Sequence, residues 1–258
     1  MATAQYKIPD SIQTGTPQGI PVVVLIGQSN AVGVGTIASV PAKYQGTITN
    51  AKIWNGSAWV NLTAGSTNQA ADGSTLGPEM SLMDSLVTFY GTPVYLIKHA
   101  ITSTDLNTQW RAGSGPLFFS LADKIKAAMA ALPSAGYIKA YYWMQGENDA
   151  ADTTMASAYQ TNLTDFVAAV RGSFYRFSDT NAPFVVGRLA AITTASYPFR
   201  DTVIAAQNAV AAADTNVLIV NNTDATLNGD NIHLNGPSQI TLGNRFATAS
   251  TTFTQSVG

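Results

Sequence analysis

The sequence predicts a single α/β domain with a doubly wound, five-stranded parallel sheet between two layers of helices. Five short runs are almost continuously apolar and rich in β-branched or aromatic residues, which is typical of strands buried on both faces. They span residues 21–26, 93–98, 137–143, 183–189 and 217–221. Helical segments separate these runs, and strands that alternate with helices form right-handed parallel units. The expected architecture is therefore a three-layer α/β/α sandwich.

In chain order, residues 1–20 come first, and their polar character with glycine and proline indicates an arm or linker. The domain is expected to span residues 21–250 and to be followed by a tail at 251–258. A length of 258 residues, with 46% hydrophobic and 11% charged residues, suits one water-soluble domain.

Five segments carry the apolar spacing of amphipathic helices. They span residues 78–90, 117–132, 155–170, 200–213 and 236–249. In the third of these, Met155, Tyr159 and Leu163 recur every four residues and so lie on one helical face.

Composition argues against several classes of protein. The net charge of −2, without a cluster of lysine or arginine, predicts no nucleic-acid partner. The chain has no cysteine and only two histidines, so we expect no metal or other cofactor, although a cation site of carboxylates alone stays open. The start lacks a signal-peptide pattern, and the apolar runs are far shorter than the ~20 residues that span a membrane. We therefore expect no membrane partner, and the compartment is left open because a signal could have been cut from a longer protein.

Polar segments follow the predicted strands at their carboxyl ends, and these ends meet at one edge of a parallel sheet. The segments are residues 27–30, 102–104, 145–149 and 230–233. They contain Ser29, Asp230 and His233 together with amide and backbone donors. A hydroxyl nucleophile, an imidazole base, a carboxylate to orient it and donors for an oxyanion are the parts of a serine esterase.

Each motif alone also has an ordinary structural explanation. Ser29 and Asn30 after a strand are common helix-capping residues. Asp230 and His233 could be a turn residue and a surface residue. The Asp-x-x-His spacing nevertheless lets Asp230 bond one ring nitrogen while His233 aims the other at a hydroxyl.

Taken together, the motifs resemble the sialate O-acetylesterase and acetylxylan esterase branch of the SGNH hydrolases. The matching segments are Gly27-Gln28-Ser29-Asn30, Gly77-Pro78-Glu79, Lys98-His99-Ala100, Trp143-Met144-Gln145-Gly146-Glu147 and Asp230-Asn231-Ile232-His233-Leu234. The resemblance covers about residues 21–249. It implies the flavodoxin-like SGNH fold, with Ser29 as nucleophile, His233 as base and Asp230 as its orienting carboxylate. It also implies metal-independent removal of acetyl groups from carbohydrates, either acetylated poly- or oligosaccharides or sialic acid.

The oxyanion hole is expected to combine backbone N–H groups of Ser29, Thr102 and Ser103 with one amide side chain. The family branch usually has Gly-Gly-Thr where this chain has Thr102-Ser103-Thr104, and a β-branched residue there narrows the approach of the substrate to the backbone N–H groups. The amide is either Gln145 or Asn148. Gln145 is preferred because it lies nearest the strand end, whereas Asn148 matches the general SGNH pattern Gly-x-Asn-Asp.

Several residues are expected to support the site without reacting. They are Gln28 and Asn30, Glu147 as a buried acceptor, and Glu79 at a helix start. His99 lies within a predicted strand, where a hydrogen-bonded structural role is expected rather than that of an alternative base.

Two irregular stretches, 34–75 and 102–115, are candidates for the walls of a substrate pocket. The first holds Trp54 and Trp59 around an Asn-Gly turn, which predicts a small hairpin, and the second holds Trp110. We expect these three tryptophans to be candidates for stacking on sugar rings, although aromatic residues in loops often only pack the loop down.

Other functions were weighed against the esterase. A carbohydrate-binding module of a larger phage-tail or secreted protein would keep the fold without turnover, and a general short-chain SGNH esterase would lack the sugar preference. A nucleotide-binding domain is disfavoured, since Gly33 and Gly35 belong to neither G-x-G-x-x-G nor a Walker pattern. The intact Ser29, Asp230 and His233 favour an enzyme whose partner is an O-acetylated carbohydrate. The oligomeric state and a secreted or virion-associated location are left open.

Overall fold

The computed structural model describes residues 19–179, 181–193 and 195–257 of the chain. The predicted arm at residues 1–20 lies almost wholly outside this part. The strands are β1 Ile20–Gly27, β2 Gly35–Thr36, β3 Thr47–Trp54, β4 Trp59–Thr63, β5 Thr75–Leu76, β6 Val94–Ala100, β7 Gly136–Met144, β8 Phe184–Gly187 and β9 Val217–Val220. The α-helices are α1 Ser29–Val32, α2 Glu79–Tyr90, α3 Pro116–Ala130, α4 Thr153–Phe174, α5 Arg200–Ala213 and α6 Gly236–Val257.

The predicted fold class is confirmed, with a central sheet in the order β4-β3-β6-β1-β7-β8-β9. Within it, β3, β6, β1, β7, β8 and β9 run parallel, and β4 is antiparallel to β3 at one edge. β1 lies at the centre, and its residues from Val22 to Ile26 are fully buried. The strands without neighbours in this sheet, β2 and β5, form a separate two-stranded ribbon.

The sheet has seven strands rather than the predicted five. The Asn-Gly hairpin near Trp54 and Trp59 forms as expected, but its first strand, β3, also pairs in parallel with β6. β3 mixes exposed and buried positions, so it lacks the continuous apolar run that marked the other parallel strands.

The last helix, α6, also differs from its prediction. It continues to Val257, through the residues expected to form a tail, because residues 244–257 contain neither glycine nor proline to end it. α6 packs closely on α2. A Cβ at Gly243 would lie 2.2 Å from the Pro78 carbonyl oxygen and 2.3 Å from Ser81 Oγ, so this crossing requires glycine.

The central strands are tied together at their carboxyl ends. The Gln28 N–H donates to the Met144 carbonyl at 2.9 Å, and the Ile101 N–H donates to the Gly27 carbonyl at 3.0 Å. Gly27 has φ of 146°, and a Cβ there would lie 2.0 Å from the Met144 carbonyl oxygen. Glycine therefore permits the chain to leave β1 directly against the end of β7.

Candidate active site

Ser29 occupies a sharp turn from strand to helix. β1 ends at Gly27, and Ser29 is the first residue of the short helix α1. The Gln28 carbonyl accepts hydrogen bonds from the N–H groups of Ala31 and Val32, each at 2.8 Å. Among the described residues, the Ser29 N–H donates to no backbone carbonyl, so it is available to a ligand. The Ser29 side chain therefore stands at the sheet edge beside a free backbone donor.

Asp230 and His233 form a hydrogen-bonded pair in the loop before α6. Asp230 Oδ2 lies 2.8 Å from His233 Nδ1, while its Oδ1 accepts the N–H groups of Ile232 and His233 at 3.0 Å each. Partial burial alone would raise the pKa of Asp230, but the bonds from His233 and Ile232 outweigh it and lower that pKa. A charged carboxylate thus holds one ring nitrogen and leaves Nε2 for other partners.

Asn30 joins the serine turn to the histidine loop. Its Oδ1 accepts the Leu234 N–H at 2.9 Å, and its Nδ2 donates to the Ile232 carbonyl at 3.4 Å. The same Nδ2 donates to Glu147 Oε1 at 2.6 Å. Three segments that are distant in sequence therefore meet at the residue that follows Ser29. In the described part of the chain, His233 shares no hydrogen bond with the Ser29 hydroxyl.

The preference for Gln145 as the oxyanion amide does not fit the geometry. Gln145 is fully buried, and its Nε2 donates to Asp149 Oδ2 at 2.6 Å, to the Thr104 carbonyl at 2.9 Å and to Gln28 Oε1 at 3.1 Å. An amide has only two N–H groups, so none is left for an oxyanion. The strand end that favoured Gln145 is thus closed off from a substrate. Asn148 is half-buried, and no other side chain or backbone group of the described residues engages its amide.

The loop after β6 stands beside the serine turn through the Ile101–Gly27 hydrogen bond. Thr102 and Ser103 are both exposed. Ser103 has φ of 57°, in the left-handed region that favours glycine, which is a physical reason for the glycine usual in similar sequences. Thr104 turns inward, where its hydroxyl accepts the indole N–H of Trp110 at 2.9 Å.

The three tryptophans proposed as sugar contacts pack the fold instead. Trp110 is fully buried, and its ring stands edge-on to Trp143 with 5.5 Å between centroids. Trp54 is 3% exposed, and the half-buried Trp59 donates its indole N–H to the Ala128 carbonyl on α3 at 3.2 Å. The prediction of sugar stacking is therefore wrong for Trp54 and Trp110, and Trp59 is fixed against a helix.

A buried ion pair supports the far end of α1. Lys98 Nζ lies 3.0 Å from Glu79 Oε2 and donates to the Val32 carbonyl at 2.6 Å and the Asn68 carbonyl at 2.8 Å. Glu79 Oε1 in turn accepts the Gly77 N–H at 2.9 Å. Burial lowers the pKa of Lys98 and the Glu79 charge opposes that shift. Because both partners are buried, loss of either would leave an unpaired charge beneath the helix that begins at Ser29.

His99 has the structural role expected of it. Its Nε2 lies 2.9 Å from Ser120 Oγ, and its ring meets Trp110 edge-on. Burial, followed by the charge of Lys124, lowers the pKa of His99 to about 4, so this histidine is neutral at physiological pH.

The structure adds Tyr197, which the sequence analysis missed. This residue lies in the loop between β8 and α5, which is tied to the end of the Gln145–Asp149 segment by the hydrogen bond from the Phe199 N–H to the Ala150 carbonyl at 3.0 Å. Burial and then the charges of Glu147 and Asp230 raise the pKa of Tyr197. Its position after a parallel strand was the available signal, but no motif marked the loop.

Within residues 19–179, 181–193 and 195–257, no group of three or more His, Cys, Asp and Glu side chains is placed to hold a metal ion. Over the same part of the chain, every helix is too short or too polar to cross a bilayer.

Solved structures with the same fold include acetylesterases. A protein from Arabidopsis thaliana aligns with a TM-score of 0.77 at 20% identity over 91% of this chain and 98% of that one. NanS aligns with a TM-score of 0.73 at 14% identity over 93% and 99% of the two chains. A carbohydrate acetylesterase from Xanthomonas citri has a TM-score of 0.60 at 16% identity, over 88% of this chain and 55% of its own. A search of curated proteins finds no match.

Family membership comes from the sequence as a whole. The profile described as "Carbohydrate esterase, sialic acid-specific acetylesterase" matches residues 20–252, nearly the entire described domain. The chain therefore belongs to the sialic acid-specific acetylesterase family of carbohydrate esterases and is a carboxylic ester hydrolase.

Proposed function

We propose that this esterase removes O-acetyl groups from carbohydrates through an acyl-enzyme on Ser29. The observation that carries the proposal is the Asp230–His233 pair, which Asn30 holds beside the turn that begins with Ser29. The family description and the name of the Xanthomonas citri carbohydrate acetylesterase support acetyl as the acyl group and a carbohydrate as its carrier.

The chemistry follows from what each group offers. His233 Nε2 takes the proton of the Ser29 hydroxyl as its oxygen attacks the acetyl carbonyl, and Asp230 stabilises the imidazolium that forms. The tetrahedral intermediate collapses when His233 returns that proton to the departing sugar oxygen. Water then attacks the acetyl-enzyme by the same route and releases acetate. No step requires a metal ion.

The oxyanion would be met by donors from three segments. The free N–H of Ser29 lies at the start of α1, and the exposed loop at Thr102 and Ser103 stands beside it. Asn148 is the amide side chain whose donors remain free among the described residues. Donors fixed by backbone geometry stabilise developing charge without reorganisation, which is the main source of rate in acyl transfer.

The test is acetate release by Ser29→Ala beside a matched control, Ser157→Ala, which removes an exposed hydroxyl on α4. Substrates are O-acetylated sialic acid, acetylated xylan oligosaccharides, and a small aryl ester with acetyl or octanoyl chains. We expect loss of roughly 10⁴-fold or more in kcat for Ser29→Ala, an unchanged melting temperature, and parental activity in the control.

Comparable acetate release from Ser29→Ala and the parent would refute the acyl-enzyme. Equal rates on acetyl and octanoyl esters would refute the acetyl preference and point to a general SGNH esterase. Binding of acetylated sugars without any release would instead establish a non-catalytic carbohydrate-binding protein.

A further inference from the structure

Glu147 is a buried carboxyl group with one engaged oxygen. It is 1% exposed, and its Oε1 accepts Asn30 Nδ2 at 2.6 Å. Its Oε2 has no hydrogen-bond partner among the described residues. A buried carboxyl oxygen without a hydrogen-bond partner destabilises the folded state, which suggests that Glu147 serves a function that offsets this cost.

Glu147 restricts the orientation of the Asn30 side-chain amide. A carboxyl acceptor on one side obliges the Asn30 amide to place its NH₂ toward Glu147 and its carbonyl oxygen toward the Leu234 N–H. The reversed amide would set its NH₂ against the Leu234 N–H and its carbonyl oxygen against the Glu147 oxygen. The orientation of Asn30, which is fully buried, is therefore fixed by Glu147 on one side and by the Leu234 N–H on the other.

That orientation controls the histidine loop. Asn30 bonds the backbone of Ile232 and of Leu234, the residues on either side of His233. Asn30 also follows Ser29 directly in the chain. The same amide thus fixes the base relative to the nucleophile, through a contact to residues more than 200 positions away.

We propose that Glu147 is a positioning residue that acts through Asn30 to set the place of His233 beside Ser29. The proposal rests on the function proposed above and names the device that assembles its catalytic groups. The acidic groups that act on His233 are Asp230 on its own loop, by a hydrogen bond, and Glu147 after β7, by its charge. Of these, Glu147 alone reaches the loop through the nucleophile turn.

The direction of the hydrogen bond offers a sharp test. Asn30→Asp keeps an oxygen for the Leu234 N–H but sets two carboxyl groups against each other. The double variant Asn30→Asp with Glu147→Gln restores one donor and one acceptor with the polarity reversed. We expect Asn30→Asp to lower kcat on a small aryl acetate about 100-fold with little change in KM, since misplaced catalytic groups cost on this order. The double variant should recover roughly tenfold or more of that loss.

A second readout does not need turnover. The chain has only two histidines, so ring NMR spectra resolve His233 from His99. Asn30→Asp should change the chemical shifts of the His233 ring, and the double variant should return them toward those of the parent. The ring shifts of His99 should stay as in the parent. Asn30→Ala, which removes the bonds without adding charge, should shift His233 as well and serves if Asn30→Asp does not fold.

The proposal is overturned if the folded single variants keep parental kcat and parental His233 spectra, or if the double variant recovers neither. If the parent releases no acetate while the His233 spectra still respond and recover, the positioning role stands and the proposed esterase mechanism fails.

Discussion

Gln145 and Asn148 are three residues apart, and their surroundings are opposite. Gln145 is enclosed, with its amide shared among Asp149, Thr104 and Gln28, whereas Asn148 is half-buried with a free amide in the described structure. Truncating an amide that stabilises the fold lowers stability, whereas truncating an amide that binds a transition state lowers kcat.

We therefore expect Asn148→Ala to lower kcat by a factor on the order of 10² to 10³ with little change in KM or melting temperature. Gln145→Ala should lower the melting temperature, because it removes the hydrogen bonds from Gln145 to the buried Asp149 carboxyl and to the Thr104 carbonyl. Steady-state kinetics and thermal unfolding of both variants check this. A selective loss of kcat in Gln145→Ala, with Asn148→Ala unaffected, would restore the original preference for Gln145.

For single residues, the sequence predicted the contacts that form within one short motif. Asp230 and His233 are three residues apart, and the local turn alone lets them pair. The partners of Gln145 come from three other segments, and the burial of Trp110 depends on α4 and the sheet. No short motif encodes such long-range contacts.

At the scale of elements, the Gln145–Asp149 segment that follows β7 carries a built-in pH dependence. Burial raises the pKa of Asp149 to about 6, with a contribution from Asp105 and against the bonds from Gln145 and the Leu106 N–H. The folded state therefore holds this proton more strongly than the unfolded chain does. The stability that it contributes is full below pH ~4 and falls as the pH rises through 6.

Asp149→Asn should abolish that slope while keeping an oxygen for both donors. The shift from 3.8 to about 6 corresponds to about 3 kcal/mol, so the stability of the variant relative to the parent should rise by that amount between pH 4 and 7. Urea unfolding of both proteins across this range measures it. The quantity to compare is the difference in unfolding free energy between variant and parent at each pH. The lowered pKa of His99 makes the stability of both proteins fall as the pH drops through the same range, and this contribution cancels in the difference. A pH-independent difference would show that Asp149 titrates normally.

The elements themselves were largely predictable. Continuous apolar runs predict the strands buried on both faces, and the helical period predicts the helices. All five predicted strands and all five predicted helices are present, and only α6 differs by more than a few residues, at its carboxyl end. β3 was not predicted as a strand of the main sheet because half of its residues are not buried. Its place beside β6 is decided by tertiary pairing.

For the molecule as a whole, the buried aromatic cluster around Trp110 joins the loop after β6 to the sheet and to α4. Trp110→Ala should lower the free energy of unfolding by about 3 to 5 kcal/mol, since it removes a large buried side chain. The ratio of activities on acetylated oligosaccharide and aryl acetate should stay as in the parent. Phe119→Ala, at a position 50% exposed, is the matched aromatic control and should change neither quantity. A stable Trp110→Ala enzyme impaired only on oligosaccharides would return this residue to the substrate site.

The contact between Asn30 and Leu234 joins residues 204 positions apart, and this separation matters during biosynthesis. Ser29 leaves the ribosome before the histidine loop does, and β6 and β7 can complete the centre of the sheet around β1 before that loop is translated. Under the proposed mechanism, a nascent chain has a shaped serine turn but no base to activate it. Under that mechanism, ester cleavage begins only once the Asp230–His233 loop and α6 have emerged and docked, so that activity indicates that this domain has folded.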